Sequence, residues 1–160
     1  MTDRALVDPL HVFRFLVKFS QRSLARGGDV EPVELGEGAF AECTGLEATM
    51  EPRVIKEGGR NHGAAQRAGP VTFGTVVLKR GVTRGQDLWA AFIAVASGAY
   101  SVRLDVEVTL CGPDGQRLVR YDLALALPVK FKAADFNARS TEVGVEELHL
   151  AHEGLAITRI

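Results

Sequence analysis

The sequence predicts a mainly β, α+β fold, an antiparallel barrel or sandwich with one principal helix on its flank. Three observations carry this. Apolar and polar residues alternate over most of the chain, a single segment switches to helical period, and glycine or proline separates the alternating runs. Many strands and one helix bury their apolar faces together only if the sheet curls on itself or packs on a second sheet. At 160 residues the chain is about one domain in size, and two halves would each lack a core. Residues 1–160 are therefore read as one domain.

Residues 11–19 set Phe13, Phe15, Val17 and Phe19 against Arg14 and Lys18, the pattern of a half-buried strand. Residues 20–38 contain Gly27, Gly28, Pro32, Gly36 and Gly38 and read as a long surface loop. Residues 39–44 and 48–56 read as short strands paired in a hairpin around Gly45, with Pro52 pushing the second to an edge or a bulge. Residues 57–70 have no apolar period and predict a second extended loop. A further strand follows over 71–79.

After Gly81 the period changes. Thr83 with Gln86 fits a capping box, Leu88, Phe92 and Val95 share a helical face, and Gly98 stands where a C-terminal cap belongs. Trp89 and Ile93 widen the apolar stripe beyond what a surface helix needs, so part of the helix is expected to meet a sheet edge or another subunit. Val102, Leu104, Val106, Val108 and Leu110 point inward from one strand. A turn at Gly112-Pro113-Asp114-Gly115 returns the chain, with Val119, Tyr121, Leu123, Leu125 and Leu127 sharing a face. Val143 and Val145 are odd-numbered while Leu148 and Leu150 are even, which predicts a bulge near Glu146 and Glu147.

The bulk chemistry excludes several functions. A net charge of −1 with dispersed acidic residues lacks the basic footprint of a nucleic-acid binder. Cys43 and Cys111 are far apart and outside any metal-type pair, which fits a reduced cytoplasm. The polar, proline-broken start is unlike a secretory signal, and the longest apolar run, 88–96, is far short of the ~20 residues of a membrane span.

No catalytic constellation emerges. Gly36-Glu37-Gly38-Ala39-Phe40-Ala41 imitates a dinucleotide fingerprint, but a strand follows where the motif needs a helix. His149 and His152 have an odd separation, which sends them to opposite faces of a strand and denies them a shared metal ion. Glu142, Glu146 and Glu147 read as a solvated face, Ser97-Gly98 lacks the glycine context of a nucleophile elbow, and neither cysteine has a neighbouring base. Lys79, Arg80, Lys130 and Lys132 could line a phosphate surface, but lysines also guard strand edges. No cofactor or metal is called for.

Three stretches read together do resemble a known family. They are Ala39-Phe40-Ala41-Glu42-Cys43-Thr44-Gly45-Leu46-Glu47, then Glu57-Gly58-Gly59-Arg60-Asn61-His62, then Leu78-Lys79-Arg80-Gly81 followed by Asp87-Leu88-Trp89. In order and spacing they resemble the tail-tube family of contractile phages and phage-derived injection systems. Lys130-Phe131-Lys132-Ala133-Ala134-Asp135-Phe136-Asn137 and Glu146-Glu147-Leu148-His149-Leu150 continue the likeness.

The resemblance implies a structural, non-enzymatic subunit that closes into hexameric rings. The rings would stack into a hollow tube inside a contractile sheath, with baseplate-hub and spike proteins as partners and cargo or DNA passing without sequence-specific binding. Assembly in the cytoplasm before incorporation into a phage-tail-like particle is expected. Glu57, Gly58, Gly59, Arg60, Asn61, Lys79, Arg80, Leu88 and Trp89 are the subunit-interface candidates. Gly58 and Gly59 permit positive-φ turns in a loop reaching a neighbour, Asn61 can fix such a turn, and Trp89 is a large anchor.

The small, neutral segment 63–70 and the long 20–38 loop depart from a main tube subunit and leave a tube-initiating or baseplate-hub layer as the alternative. From a different class, a small barrel could enclose a ligand or flavin.

Overall fold

The computed structural model describes residues 9–12, 14–24, 33–97 and 101–160. In chain order these form β1 (Phe15–Ser23), β2 (Val33–Ala39), β3 (Glu42–Thr44), β4 (Ala48–Met50), β5 (Arg53–Ile55), β6 (Ala65–Arg67), β7 (Val71–Phe73), β8 (Val76–Gly81), α1 (Asp87–Ala96), β9 (Val102–Cys111), β10 (Arg117–Lys132), β11 (Val145–Ala151) and β12 (Gly154–Arg159).

The main sheet runs β2-β1-β9-β10-β11-β8-β3, with β12 also on β10, and its pairings are antiparallel. Its last strand, β3, follows its first, β2, after only Phe40 and Ala41. The path therefore returns on itself and the sheet curls into a barrel, the fold class expected. Val17, Val76, Leu78, Leu104, Val106, Leu123, Leu148 and Leu150 fill the interior. Leu88, Ala91 and Val95 of α1 join the same cluster, and the helix lies against β10, β9, β2 and β1.

One corner explains the length of β10. Residues as far as Ala126 lie beside β9, and those from Leu127 pair with β11. On the other edge β11 and β12 act as one strand kinked at His152 and Glu153, with Ala151 opposite Leu127 and Gly154 opposite Ala124. Both strands bend at the same level. Leu125 takes a left-handed φ of 50°, the β9 register shifts between Leu123 and Ala126, and Glu153 N–H donates to the Ala124 carbonyl at 3.0 Å. A bulge of this kind increases twist and lets one strand serve two walls. It also breaks the single face expected over 119–127: Val119 and Leu123 are buried, then Ala126 takes the inward place and Leu127 is turned outward.

Several boundaries differ from the sequence reading. The first strand starts at Phe15 and runs on to Ser23, and Phe13 lies outside the described residues. The 20–38 segment is not one loop, because β1 continues into it and β2 returns from it in an antiparallel ladder. Its middle, with Gly27, Gly28 and Pro32, lies outside the described residues. The hairpin expected around Gly45 does not form, since β3 pairs with β8 and β4 with β7. The loop expected over 57–70 contains β6, which pairs with β5, and the 71–79 strand divides into β7 and β8.

Around α1, Gln86 occupies the N-cap without a side-chain bond. The Thr83 hydroxyl instead accepts from Gly85 N–H at 3.2 Å, so the capping box is absent. Ser97 is the C-cap, and Gly98 lies outside the described residues.

The bulge predicted at Glu146 and Glu147 is also corrected. β11 pairs with β8 in unbroken register, and the inward residues are Glu146, Leu148 and Leu150. The inward position of Glu146 is answered by Arg80, its cross-strand partner, which donates from Nε to Oε1 at 2.7 Å. Arg80 also lies 5.5 Å from the Phe40 ring centroid and reaches Asp87, in the first turn of α1, at 3.4 Å. The outer face of the same wall carries a ladder in which Lys132 faces Glu147, Glu147 faces Lys79 and Lys79 faces Glu42.

Removing one partner of a buried ion pair leaves an uncompensated charge, at a cost of about 3–5 kcal/mol, whereas an apolar pair of similar volume is often neutral. Glu146→Leu alone should lower the unfolding free energy from denaturant titration by that amount and the double variant Arg80→Met/Glu146→Leu should recover most of it. Equal losses in both would contradict the pairing.

The Glu147 carboxylate is held below its usual range chiefly by the hydrogen bond from His149, with Lys79 and Lys132 assisting and burial opposing. A lowered folded-state pKa contributes stability that is present above about pH 4.3 and is lost as pH falls through the lowered value. Melting curves from pH 7 to pH 3 should therefore show an acid loss that Glu147→Gln reduces.

Candidate subunit interface

Residues 48–73 leave the barrel as a ribbon. β4 pairs with β7, Glu51 N–H donates to the Pro70 carbonyl at 3.1 Å, and beyond Pro52 β5 pairs with β6. At about 3.3 Å per residue the ribbon reaches roughly 30 Å from its root. The root is anchored to the barrel. Gly74 N–H donates to the Glu47 carbonyl, and Phe73 packs on His152 with ring centroids 5.2 Å apart. Gly45, at φ 86°, sits so close to the Thr75 carbonyl that a Cβ would collide with it, which only glycine avoids.

The ribbon has an apolar face that its own barrel leaves open. Ala48 faces Phe73 and Met50 faces Val71, while Thr49 and Thr72 point the other way. Met50 and Val71 are 50% and 46% exposed, and Val54 is 59% exposed. Arg53 lies directly opposite Arg67, a like-charge pairing that is unfavourable in an isolated ribbon.

The tip brings five of the predicted residues together, since Glu57, Gly58, Gly59, Arg60 and Asn61 are all exposed there. Gly59 takes φ 83°, as a positive-φ turn requires. Arg60, not Asn61, organises the turn, donating to the His62 carbonyl at 3.3 Å and pairing with Glu57 at 3.5 Å.

The other four candidates lie on the barrel. Lys79 points outward and pairs with Glu42 at 3.4 Å. Arg80 and Leu88 are buried in the chain's own core and leave almost no surface for a neighbour. Trp89 is 46% exposed, stacks on Phe92 at 5.8 Å and meets Phe131 edge-on at 5.4 Å. It thus marks a second apolar surface, together with exposed Ile93. The reading from sequence passed over Met50, Val54 and Val71. Their signal was the apolar alternation around Thr49 and Thr72, too short to stand out beside Pro52 and Pro70.

Catalytic and metal chemistry finds little footing. Gly36 and Gly38 lie in β2, which leads into another strand. Glu146, expected on a solvated face, is instead buried with Arg80. His149 bonds Glu147, whereas His152 sits at the kink and bonds the Gly154 carbonyl. Among the described residues no three metal-ligating side chains gather. Burial pushes the Cys43 thiol up to about 11, away from nucleophilic use. Among the described residues no helix is long and apolar enough to cross a membrane.

Known proteins share the fold described above. A chain in the six-fold-symmetrised baseplate structure of the anti-feeding prophage is 27% identical, with a TM-score of 0.78 over 96% of this chain and 98% of that one. A chain in the extended sheath-tube complex of an extracellular contractile injection system, PVC, is 20% identical, with a TM-score of 0.74 over 98% and 95%. An Hcp protein shares the fold at 12% identity and a TM-score of 0.53, over 91% and 90%. No curated protein matches by sequence. The family model described as T4-like virus tail tube protein gp19 matches residues 11–156, and the chain belongs to that family, as a structural tail tube protein and not an enzyme.

Proposed function

We propose that this chain closes into hexameric rings that stack as the inner tube of a contractile phage-tail-like particle, forming a conduit for cargo or DNA within a sheath. The observation that carries this is the 48–73 ribbon. A two-stranded ribbon is marginal in water by itself, and this one exposes Met50, Val54 and Val71 and opposes Arg53 to Arg67. A neighbouring copy that covers the apolar face and brings carboxylates to the arginines removes both costs.

The exposed tip, Glu57 to Asn61, then lies in a neighbour's surface, and Trp89 with Phe92 and Phe131 gives a second contact on the barrel. Ring closure needs two different patches meeting head to tail, and the ribbon and the Trp89 surface are two such patches. Baseplate hub, spike and sheath are the remaining partners, with assembly in the cytoplasm.

A second reading is favoured by one comparison. The 27% identical chain belongs to a baseplate structure, which supports a tube-initiating layer seated on the hub.

Light scattering after size exclusion, with negative-stain imaging, separates the readings. Rings or tubes from the purified chain alone support the main tube. Rings only with baseplate partners support the initiator, and a monomer under both conditions overturns assembly. In the condition that gives rings, Met50→Asp/Val71→Asp should leave the circular dichroism of the barrel unchanged and raise the concentration needed for assembly at least tenfold. Unchanged assembly would remove the ribbon from the interface.

A further inference from the structure

Beyond the ribbon, the barrel carries a protruding aromatic ring and, at a separate place on its surface, an apolar opening. Phe136 is 94% exposed in the connection between β10 and β11. That connection is ordered on both sides of it. Ala134 is buried, Ser140 N–H donates to the Asn137 carbonyl at 3.0 Å, and Asn137 Oδ1 accepts from Arg139 N–H at 3.0 Å. The ring is thus held out by a shaped turn.

The opening is a cavity of about 390 Å³ at the mouth of the barrel, with Val12, Phe15, Cys43, Leu46, Leu110 and Tyr121 in its wall. It is large enough to accept a phenyl ring and apolar enough to favour one.

We infer that Phe136 of one copy inserts into the barrel mouth of a second copy of this chain. Within its own chain Phe136 borders a different depression, beside Lys132, Ala134 and Val143, and its ring stays 94% exposed, so it does not fill its own mouth.

Charge supports a second copy as the occupant. Arg139 stands three residues from Phe136, and Glu42 lies in the wall of the mouth, so the incoming turn of a second copy brings a cation toward a carboxylate. A protrusion meeting a hole elsewhere on the surface is a heterologous contact, which generates rings or stacks and not closed pairs. The inference rests on the assembly proposed above and names one contact within it.

The test uses the full chain in whichever condition gives rings. Phe136→Cys/Val12→Cys, oxidised with copper-phenanthroline, should form a disulfide-linked dimer and higher multiples that neither single variant forms, Val12 being an exposed residue in the wall of the mouth. Cys111 is buried and does not compete. A cycle of Phe136→Ala, Leu46→Ala and the double variant guards against slow oxidation. Each single change should raise the assembly concentration about tenfold, with Phe136→Leu largely rescuing, and the double should be no worse than the worse single. Additive effects, or normal assembly by Phe136→Ala, would overturn the contact while leaving ring assembly intact. Failure of the unaltered chain to form rings at all would remove the contact together with the assembly reading.

Discussion

The Arg80 guanidinium is the point on which the barrel and its helix depend together. From β8 it reaches Glu146 on β11 and Asp87 at the start of α1, and it lies over Phe40, where β2 passes into β3. Four parts of the chain meet at one buried cation. An ion pair in this position adds little net stability over apolar packing, since both groups lose their water, but a shifted strand leaves a charge buried and unpaired. That penalty disfavours alternative registers of β8 on β11. It also ties the helix to the wall without a side-chain cap, because Asp87 is both an Arg80 partner and an acidic residue in the positive first turn of α1.

The rest of the molecule divides into a self-sufficient barrel and a dependent ribbon. Inside the barrel, aliphatic side chains from every wall interlock, and the sheet path leaves few free edges. Outside it, the 48–73 ribbon uses its residues on a surface that the barrel does not meet. In a monomer designed to stay alone, Met50, Val54 and Val71 would be polar. In the proposed assembly a neighbouring copy covers them.

How much of this could be read in the sequence depended on whether the deciding contacts were local. The β9 alternation was legible from Val102 to Val108, because each second residue enters the same core, whereas beyond it Thr109 of the opposite face is buried too and Leu110 lies outside that core. The α1 stripe was legible for the same reason. What escaped was set by partners distant in sequence. β2 looked like a loop because Gly36 and Gly38 weaken its intrinsic preference, which pairing with β1 overrides. Glu146 looked like a bulge signal because a carboxylate on an inward position is intelligible only with Arg80, far away in the chain, beside it. Within the candidate interface, the tip residues Glu57 to Asn61 were legible from their turn chemistry, while Arg80 and Leu88 turned inward. Burial depends on the whole fold, and local pattern does not decide it.

The close approach of Gly45 to Thr75 has a consequence for architecture on a larger scale. A projection that swings on a loose hinge transmits an angular error at every joint, and errors compound along a polymer. Here the ribbon leaves the barrel where backbone touches backbone, so its angle is fixed when the barrel folds. Wherever copies are joined through such projections, the straightness of the resulting column is determined inside each subunit before it meets another. A single methyl group at residue 45 would meet the Thr75 carbonyl, so it would cost the subunit stability and tilt the column together.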